Sequence, residues 1–184
     1  MLLTKSTIVD NSQLLKLTGG WTVINIAESR YGVDELLVAD AEADERRWLP
    51  FGDSAFSLPL LFDVRGGSWV SLFKAKGAGT IERHRHSNPV TGWTLEGTWG
   101  YRERDWIARR GTFIFEPAGD IHTLYVHPEA GHMKALFHVF GPLVYLDEDG
   151  NAEGYDDVLV RLDRYAAHCK SVGLGDEFVR TLIR

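Results

Sequence analysis

The sequence predicts an all-β body, an antiparallel barrel or sandwich, with an amphipathic helix lying on it near the C-terminus. Three observations carry that prediction. From Trp48 onward, short runs rich in Val, Ile, Phe and Trp are broken by Gly, Asp, Asn and Pro, the texture of antiparallel strands joined by tight turns. The chain holds 19 glycines together with 6 Trp, 6 Tyr and 9 Phe, which suits strands and turns better than a helical bundle. Finally, Tyr155, Val158, Leu159, Leu162, Tyr165, Ala166 and Cys169 recur at i, i+3, i+4 and i+7, one face of a helix.

With 184 residues the chain is expected to form one domain over 1–184. Residues 1–47 read as an N-terminal arm with outer strands, 48–145 as the barrel core and 155–184 as the C-terminal helix. Within the arm, Trp21–Ala27 reads as a short strand, outermost in the sheet or reaching a second subunit. The charged stretch 34–47 reads as a surface loop or short helix. Strands are expected at 55–63, 68–75, 80–86, 91–96, 98–102, 112–116, 121–127 and 133–140. Turns fall at Gly66-Gly67, Glu96-Gly97, Ala118-Gly119 and Glu129-Ala130-Gly131. A last strand follows Gly141-Pro142. The helix after it has Asp156 and Asp157 in its first turn, where negative charge is favourable, and Gly173 past its end.

The formal net charge is −6, with acids concentrated at 34–45 and 147–157. Nucleic acid and anionic membrane select basic surfaces, so neither is the expected partner. The single cysteine, Cys169, excludes an internal disulfide and fits a reducing compartment. The first residues lack the apolar run and cleavage pattern of a signal peptide, and no stretch approaches the ~20 apolar residues of a transmembrane helix. A cytoplasmic protein is the expectation.

The chemistry concentrates in residues 77–125. His84 and His86 are one residue apart, so on a strand they share a face. His122 lies 36 positions beyond His86, after Pro117 and Gly119, and a neighbouring strand can bring it to the same place. Three imidazoles make a metal site, and ligand type alone admits Fe, Zn, Ni, Mn or Co. His138, on the strand MKALFHVF, reads as a packing residue or a support for a ligand, while His127, His132 and His168 fall outside the site. Glu82, Glu96 and Glu103 read as structural. Trp69, Trp93 and Phe115 read either as cavity lining or as barrel core.

Two patterns sharpen this: His84-x-His86, three residues, Val90, six residues, Gly97; then Gly111, five residues, Pro117-x-Gly119, two residues, His122. They resemble the two motifs of the cupin superfamily, which implies a double-stranded β-helix, a jelly-roll barrel, with the motifs flanking a hairpin at Gly97. The trailing asparagine of the second motif is Tyr125 here. The glutamate that completes a three-histidine, one-glutamate set falls at Val90, which cannot bind a metal, so the implied site is three neutral histidines.

The stretches RHRHSNPVTGWTLEGTWGYRERDW, EPAGDIHTL, MKALFHVFGPLVYLDEDGNAEGYDDV and VGLGDEFVRTLIR resemble 2,4′-dihydroxyacetophenone dioxygenases and the related acetylacetone-cleaving dioxygenases. That resemblance implies a homodimer holding non-haem Fe(II) through His84, His86 and His122. It also implies O2-dependent cleavage of a C–C bond in a small diketone or hydroxyketone. Glu116 matches a glutamate near the pocket, implied to orient substrate or shuttle a proton, and the alternative is an exposed carboxylate at a strand end. Tyr101 is a candidate hydrogen-bond donor to bound substrate or oxygen. Two other readings stand beside the dioxygenase. One is a metal-dependent hydrolase or isomerase on the same barrel, the other a non-catalytic metal-binding or ligand-sensing cupin.

Overall fold

The computed structural model describes residues 32–77 and 81–184, of which residues 34–184 make one compact unit. The strand expected at Trp21–Ala27 and the arm before residue 32 lie outside the described residues. A short 3-10 helix, Glu45–Arg47, occupies the charged stretch expected to be loop or helix.

Twelve strands follow among the described residues, in two antiparallel sheets. The larger sheet runs β1 (Leu49–Phe51), β2 (Ala55–Asp63), β3 (Ser68–Lys76), β10 (His132–Phe140), β5 (Val90–Tyr101) and β6 (Ile107–Arg109), with β7 (Phe113–Glu116) and β9 (Leu124–Val126) also on β5. The smaller sheet runs β12 (Ala152–Asp156), β11 (Leu143–Leu146), β4 (His84–His86) and β8 (Ile121–His122). Short strands curled in two layers are the jelly-roll arrangement, and the expected all-β class holds. β1, β6 and β12 were not among the expected strands. Each is three to five residues long, too short to show a periodicity.

One expected hairpin is not a hairpin. The segments 91–96 and 98–102 form a single strand, β5, and Gly97 lies inside it rather than at a turn. The register with β10 slips here, from Lys134↔Glu96 to Ala135↔Thr94. Leu95 is the extra residue of this bulge, and Gly97 beside it, in register with Met133, has φ +68°; a Cβ there would stand 2.0 Å from the His132 carbonyl oxygen, so only glycine fits. The bulge marks where β5 changes neighbours. Val90–Trp93 pair with β7, whereas Thr98–Tyr101 pair with β6 and β9. One strand thereby closes both ends of the curl.

Two helices complete the unit, α1 (Val158–Ser171) and α2 (Gly175–Thr181). The helix begins later than expected. Tyr155 and Asp156 belong to β12, and Asp157 is the cap, its carboxylate accepting from the backbone N–H groups of Leu159 and Val160 at 2.9 and 2.8 Å. α1 buries Val158, Tyr165 and Cys169 in a cluster with Phe62, Trp69 and Val139, at roughly 1.5–3 kcal/mol for each large side chain removed from water. After α2 the last residues return to β2, with the Phe62 N–H donating to Leu182 O at 2.8 Å and the Arg184 N–H to Phe62 O at 2.9 Å.

Candidate metal centre

β4 buries its two histidines and exposes Arg85 between them, as the period of a strand requires. The Pro117–Asp120 turn is pinned to this strand: the Gly119 N–H donates to His86 O at 2.8 Å and the His86 N–H to Asp120 O at 3.1 Å. The pinned turn delivers β8, in which His122 lies directly opposite His84. All three imidazoles therefore point inward from the small sheet, and all three are buried.

Their nitrogens converge. His84 Nε2 stands 3.1 Å from His86 Nε2 and 3.2 Å from His122 Nε2. Two donors about 2.1 Å from one ion are about 3.0 Å apart at a right angle and about 3.4 Å apart at a tetrahedral angle, so the spacing fits one metal ion. Proton placement strengthens the fit. The His84 Nδ1–H donates to the Glu82 carbonyl at 2.7 Å, and the His122 Nδ1–H to the Asp120 carboxylate at 3.1 Å. Each neutral ring thus presents a lone pair at Nε2, and two lone pairs facing each other at 3.2 Å repel unless a cation lies between them. Burial holds the rings neutral, pushing His84 down to about 4 and His86 to about 2, with the neighbouring histidines adding to the effect. His122 is also lowered by burial, opposed by Asp120.

Glu116 joins the triad. It is buried on β7, so it is not the exposed strand-end carboxylate that was its alternative. Its Oε1 accepts from the Tyr101 hydroxyl. Its Oε2 has no hydrogen-bond partner and stands 3.5 Å from His86 Nε2 and 3.7 Å from His122 Nε2. Burial raises its carboxyl to about 7, against the lowering effect of the Tyr101 hydrogen bond. An unpartnered buried oxygen beside three ring nitrogens is costly, and a divalent cation among the four atoms would relieve it. Tyr101, the last residue of β5 rather than a hairpin residue, stacks flat on His122 with ring centroids 3.7 Å apart.

The rest of the expected set separates cleanly. Trp69 lines the cavity above the histidines. Trp93 and Phe115 do not: they lie on the outer face, 48% and 61% exposed, because they alternate with inward-facing neighbours on β5 and β7. His138 hydrogen-bonds Ser68 Oγ at 3.3 Å and packs on Phe140, away from the triad. His132 and His168 bind backbone carbonyls.

Among the cavity residues that were not foreseen are Tyr145 on β11 and Arg161 on α1. A signal for the second was present. Arg161 falls three residues after Val158 and four before Tyr165, a cation on the apolar stripe of the helix.

A family profile described as the ChrR Cupin-like domain matches residues 38–144. Among solved structures, an RmlC-like cupin protein from Ralstonia eutropha JMP134 is 30% identical over 68% of this chain and 83% of its own, with a TM-score of 0.66. A cupin-like protein from the same organism is 24% identical over 65% of this chain and 75% of its own, with a TM-score of 0.60. An acetylacetone dioxygenase from Acinetobacter johnsonii shares the fold, with a TM-score of 0.67 at 15% identity, covering 79% of this chain and 99% of its own. No curated protein matches. Because the profile spans more than half of the 184 residues, the chain belongs to the ChrR cupin-like domain family of the cupin superfamily.

Proposed function

We propose that this protein is a non-haem Fe(II)-dependent dioxygenase that cleaves a C–C bond in a small diketone or hydroxyketone with O2. The compounds it would take resemble 2,4′-dihydroxyacetophenone or acetylacetone. The observation that supports it most directly is the convergence of three histidine nitrogens, with Nε2 of His86 and of His122 at 3.1 and 3.2 Å from Nε2 of His84. Fe(II) bound there would supply a Lewis acid for the substrate oxygens and a centre at which O2 reacts. The three imidazoles are neutral, so even with Glu116 beside the ion positive charge remains for an anionic substrate to neutralise, which favours a ligand that loses a proton on binding.

The chain's own groups fit that role. Glu116 Oε2 is free to take the proton an acidic C–H or O–H gives up, and Tyr101 fixes the carboxylate by donating to Oε1. Val90, Phe137 and Leu143 supply an apolar wall that excludes water. Among the described residues no helix is long and apolar enough to cross a membrane; a cytoplasmic location and a homodimeric state are part of the proposal. The exposed side chains of Trp93, Phe113 and Phe115 on one face of β5 and β7 support the dimer.

The test is reconstitution with Fe(II) under nitrogen, followed by oxygen uptake on a panel of β-diketones and hydroxyacetophenones. Uptake with cleavage into two carboxylic acids, or an acid and an oxo compound, is the expected result. Tight zinc retention with no uptake across the panel would sink the dioxygenase and favour a non-catalytic metal-binding domain. Turnover without oxygen would favour a hydrolase or isomerase.

A further inference from the structure

The cavity that holds the histidines has a second polar end. Its free volume, about 80 Å³, suits a small ligand. Of its lining residues, Arg161 alone carries a fixed positive charge. The two ends are linked through neighbouring groups. The His84 ring lies 6.1 Å from that of Tyr145, the Tyr145 hydroxyl donates to Asp156 Oδ2 at 3.2 Å, and Arg161 Nη2 bridges to the same oxygen at 3.0 Å.

Arg161 is not consumed by that ion pair. Asp156 is fully buried and also takes both terminal nitrogens of Arg164, at 3.3 and 3.0 Å. Two guanidinium groups thus share one carboxylate, and the cluster keeps one positive charge. The Arg161 Nε–H is buried with no hydrogen-bond partner among the described residues, and such an unpaired donor on a cation carries a large desolvation cost. The guanidinium is nevertheless held in place, 5.6 Å from the Phe51 ring and 5.0 Å from that of Trp69, both of which line the cavity. A half-buried, oriented cation with a buried spare donor, in the same cavity as a metal-binding triad, is built for an anion.

The geometry points to an anion subsite at Arg161, so that the substrate is a small oxo acid: a β-dicarbonyl or hydroxyketone bearing a carboxylate, its oxygens at the histidine end and its carboxylate on Arg161. The assignment rests on reading this cavity as the substrate site of a metal centre. It goes further in requiring a charged substrate, which neither acetylacetone nor an uncharged hydroxyketone is.

The experiment compares two ligands with the same chelating group, pentane-2,4-dione and 2,4-dioxopentanoate, in which a carboxylate replaces one methyl. Binding to the Zn(II)-loaded protein, and to the metal-free protein in parallel, is measured by titration calorimetry, with no oxygen required. The carboxylate is expected to tighten binding about tenfold or more, and Arg161→Met to remove most of that ratio while leaving pentane-2,4-dione affinity within about twofold. Equal affinity of the wild type for the two ligands overturns the assignment. So does a preference that survives R161M, which would trace it to the metal. Equal weakening of both ligands in R161M would show a structural role only. Should R161M not fold, Arg161→Lys keeps the charge and loses the planar fork. A lowered ratio in R161K supports the subsite, and an unchanged one overturns it. Absence of oxygen uptake with the carboxylate preference intact would defeat the dioxygenase and leave the subsite standing.

Discussion

Val90 and Glu116 face each other across β5 and β7 as direct Cα partners. Both side chains are buried, at 1% and 3% exposure, on the inner face of the large sheet. The motif position where a fourth ligand would be expected carries a valine, and the strand beside it carries the carboxylate. The site therefore has a carboxylate with a three-histidine set, entering from the adjacent strand and anchored by Tyr101.

That placement makes Glu116 a destabilising group in the metal-free protein, with a definite sign. Its folded carboxyl is raised from 4.5 to about 7 by burial. The folded state thus binds more protons than the unfolded one between these values, and stability is lost as pH rises through this window. Glu116→Gln should raise the melting temperature of the metal-free protein by several degrees at pH 8 and by almost nothing at pH 4.5. With metal present the same substitution should weaken binding, by about tenfold or more. Melting curves across pH, with and without chelator, check both halves.

The histidines make the opposite kind of prediction. Ordinary imidazoles must shed protons to bind a metal, so affinity falls as pH drops through about 6.5. Here His84 and His86 already sit near 4 and 2 through burial, so in Glu116→Gln, which removes the neighbouring carboxyl raised to about 7, metal affinity should stay nearly flat from pH 8 to pH 6. A tenfold or greater decline over that interval would show that the rings are hydrated and protonatable. His122→Ala, which removes one of the three converging nitrogens, should abolish retention of metal through gel filtration. Retained metal would mean that the third ligand is another residue.

Much of this site was legible in the sequence, because strand periodicity is strict. One residue between His84 and His86 determines that they share a face, and Pro117 and Gly119 mark the turn that returns His122 to them. What was hidden depends on partners far along the chain. Nothing near Glu116 distinguishes a buried carboxylate from an exposed one, since its burial follows from pairing with Val90 and from the Tyr101 hydroxyl. Trp93 and Phe115 look like core by composition, yet register places them outside. Gly97 reads as a turn because a Glu-Gly pair suits one, while in the fold it continues β5 next to the bulge at Leu95.

Gly97 can be tested directly. A Cβ at this position would meet the His132 carbonyl oxygen at 2.0 Å, and that atom is backbone, so it cannot swing aside. Gly131 has a similar φ, +64°, but nothing within 4 Å of its would-be Cβ. Gly131→Ala should cost only the left-handed conformation, about 1 kcal/mol, whereas Gly97→Ala should cost about 3 kcal/mol or more. Equal losses in urea denaturation would show that β5 relaxes freely at its bulge.

Asp156 holds the helix and the cavity together, and its two neighbours in sequence and space separate charge from capping. It is fully buried between Arg161 and Arg164. Asp156→Asn strands those cations and should cost about 3 kcal/mol. Asp157 caps α1 from a half-buried position, and Asp157→Ala should cost about 1 kcal/mol. The larger loss at 156 should be accompanied by weaker binding of carboxylate ligands in the cavity, the smaller loss at 157 by none. Denaturation and calorimetry on the same two variants read both.

In the homodimer we propose, a second copy would dock on the outer face of β5 and β7. Phe113 and Phe115 are 57% and 61% exposed, and Trp93, opposite Phe113, is 48% exposed. Among the described strands β7 pairs with β5 alone, and an edge strand beside exposed rings is a combination that invites association. A stable homodimer needs about 600–1,000 Å² from each copy, more than three side chains supply, so neighbouring residues must contribute as well. Phe115→Glu puts a charge in the centre of the patch and should shift the protein from dimer to monomer in sedimentation equilibrium, with the buried triad and its metal content unchanged. A variant that stays dimeric with unaltered affinity would place the dimer interface elsewhere on the molecule.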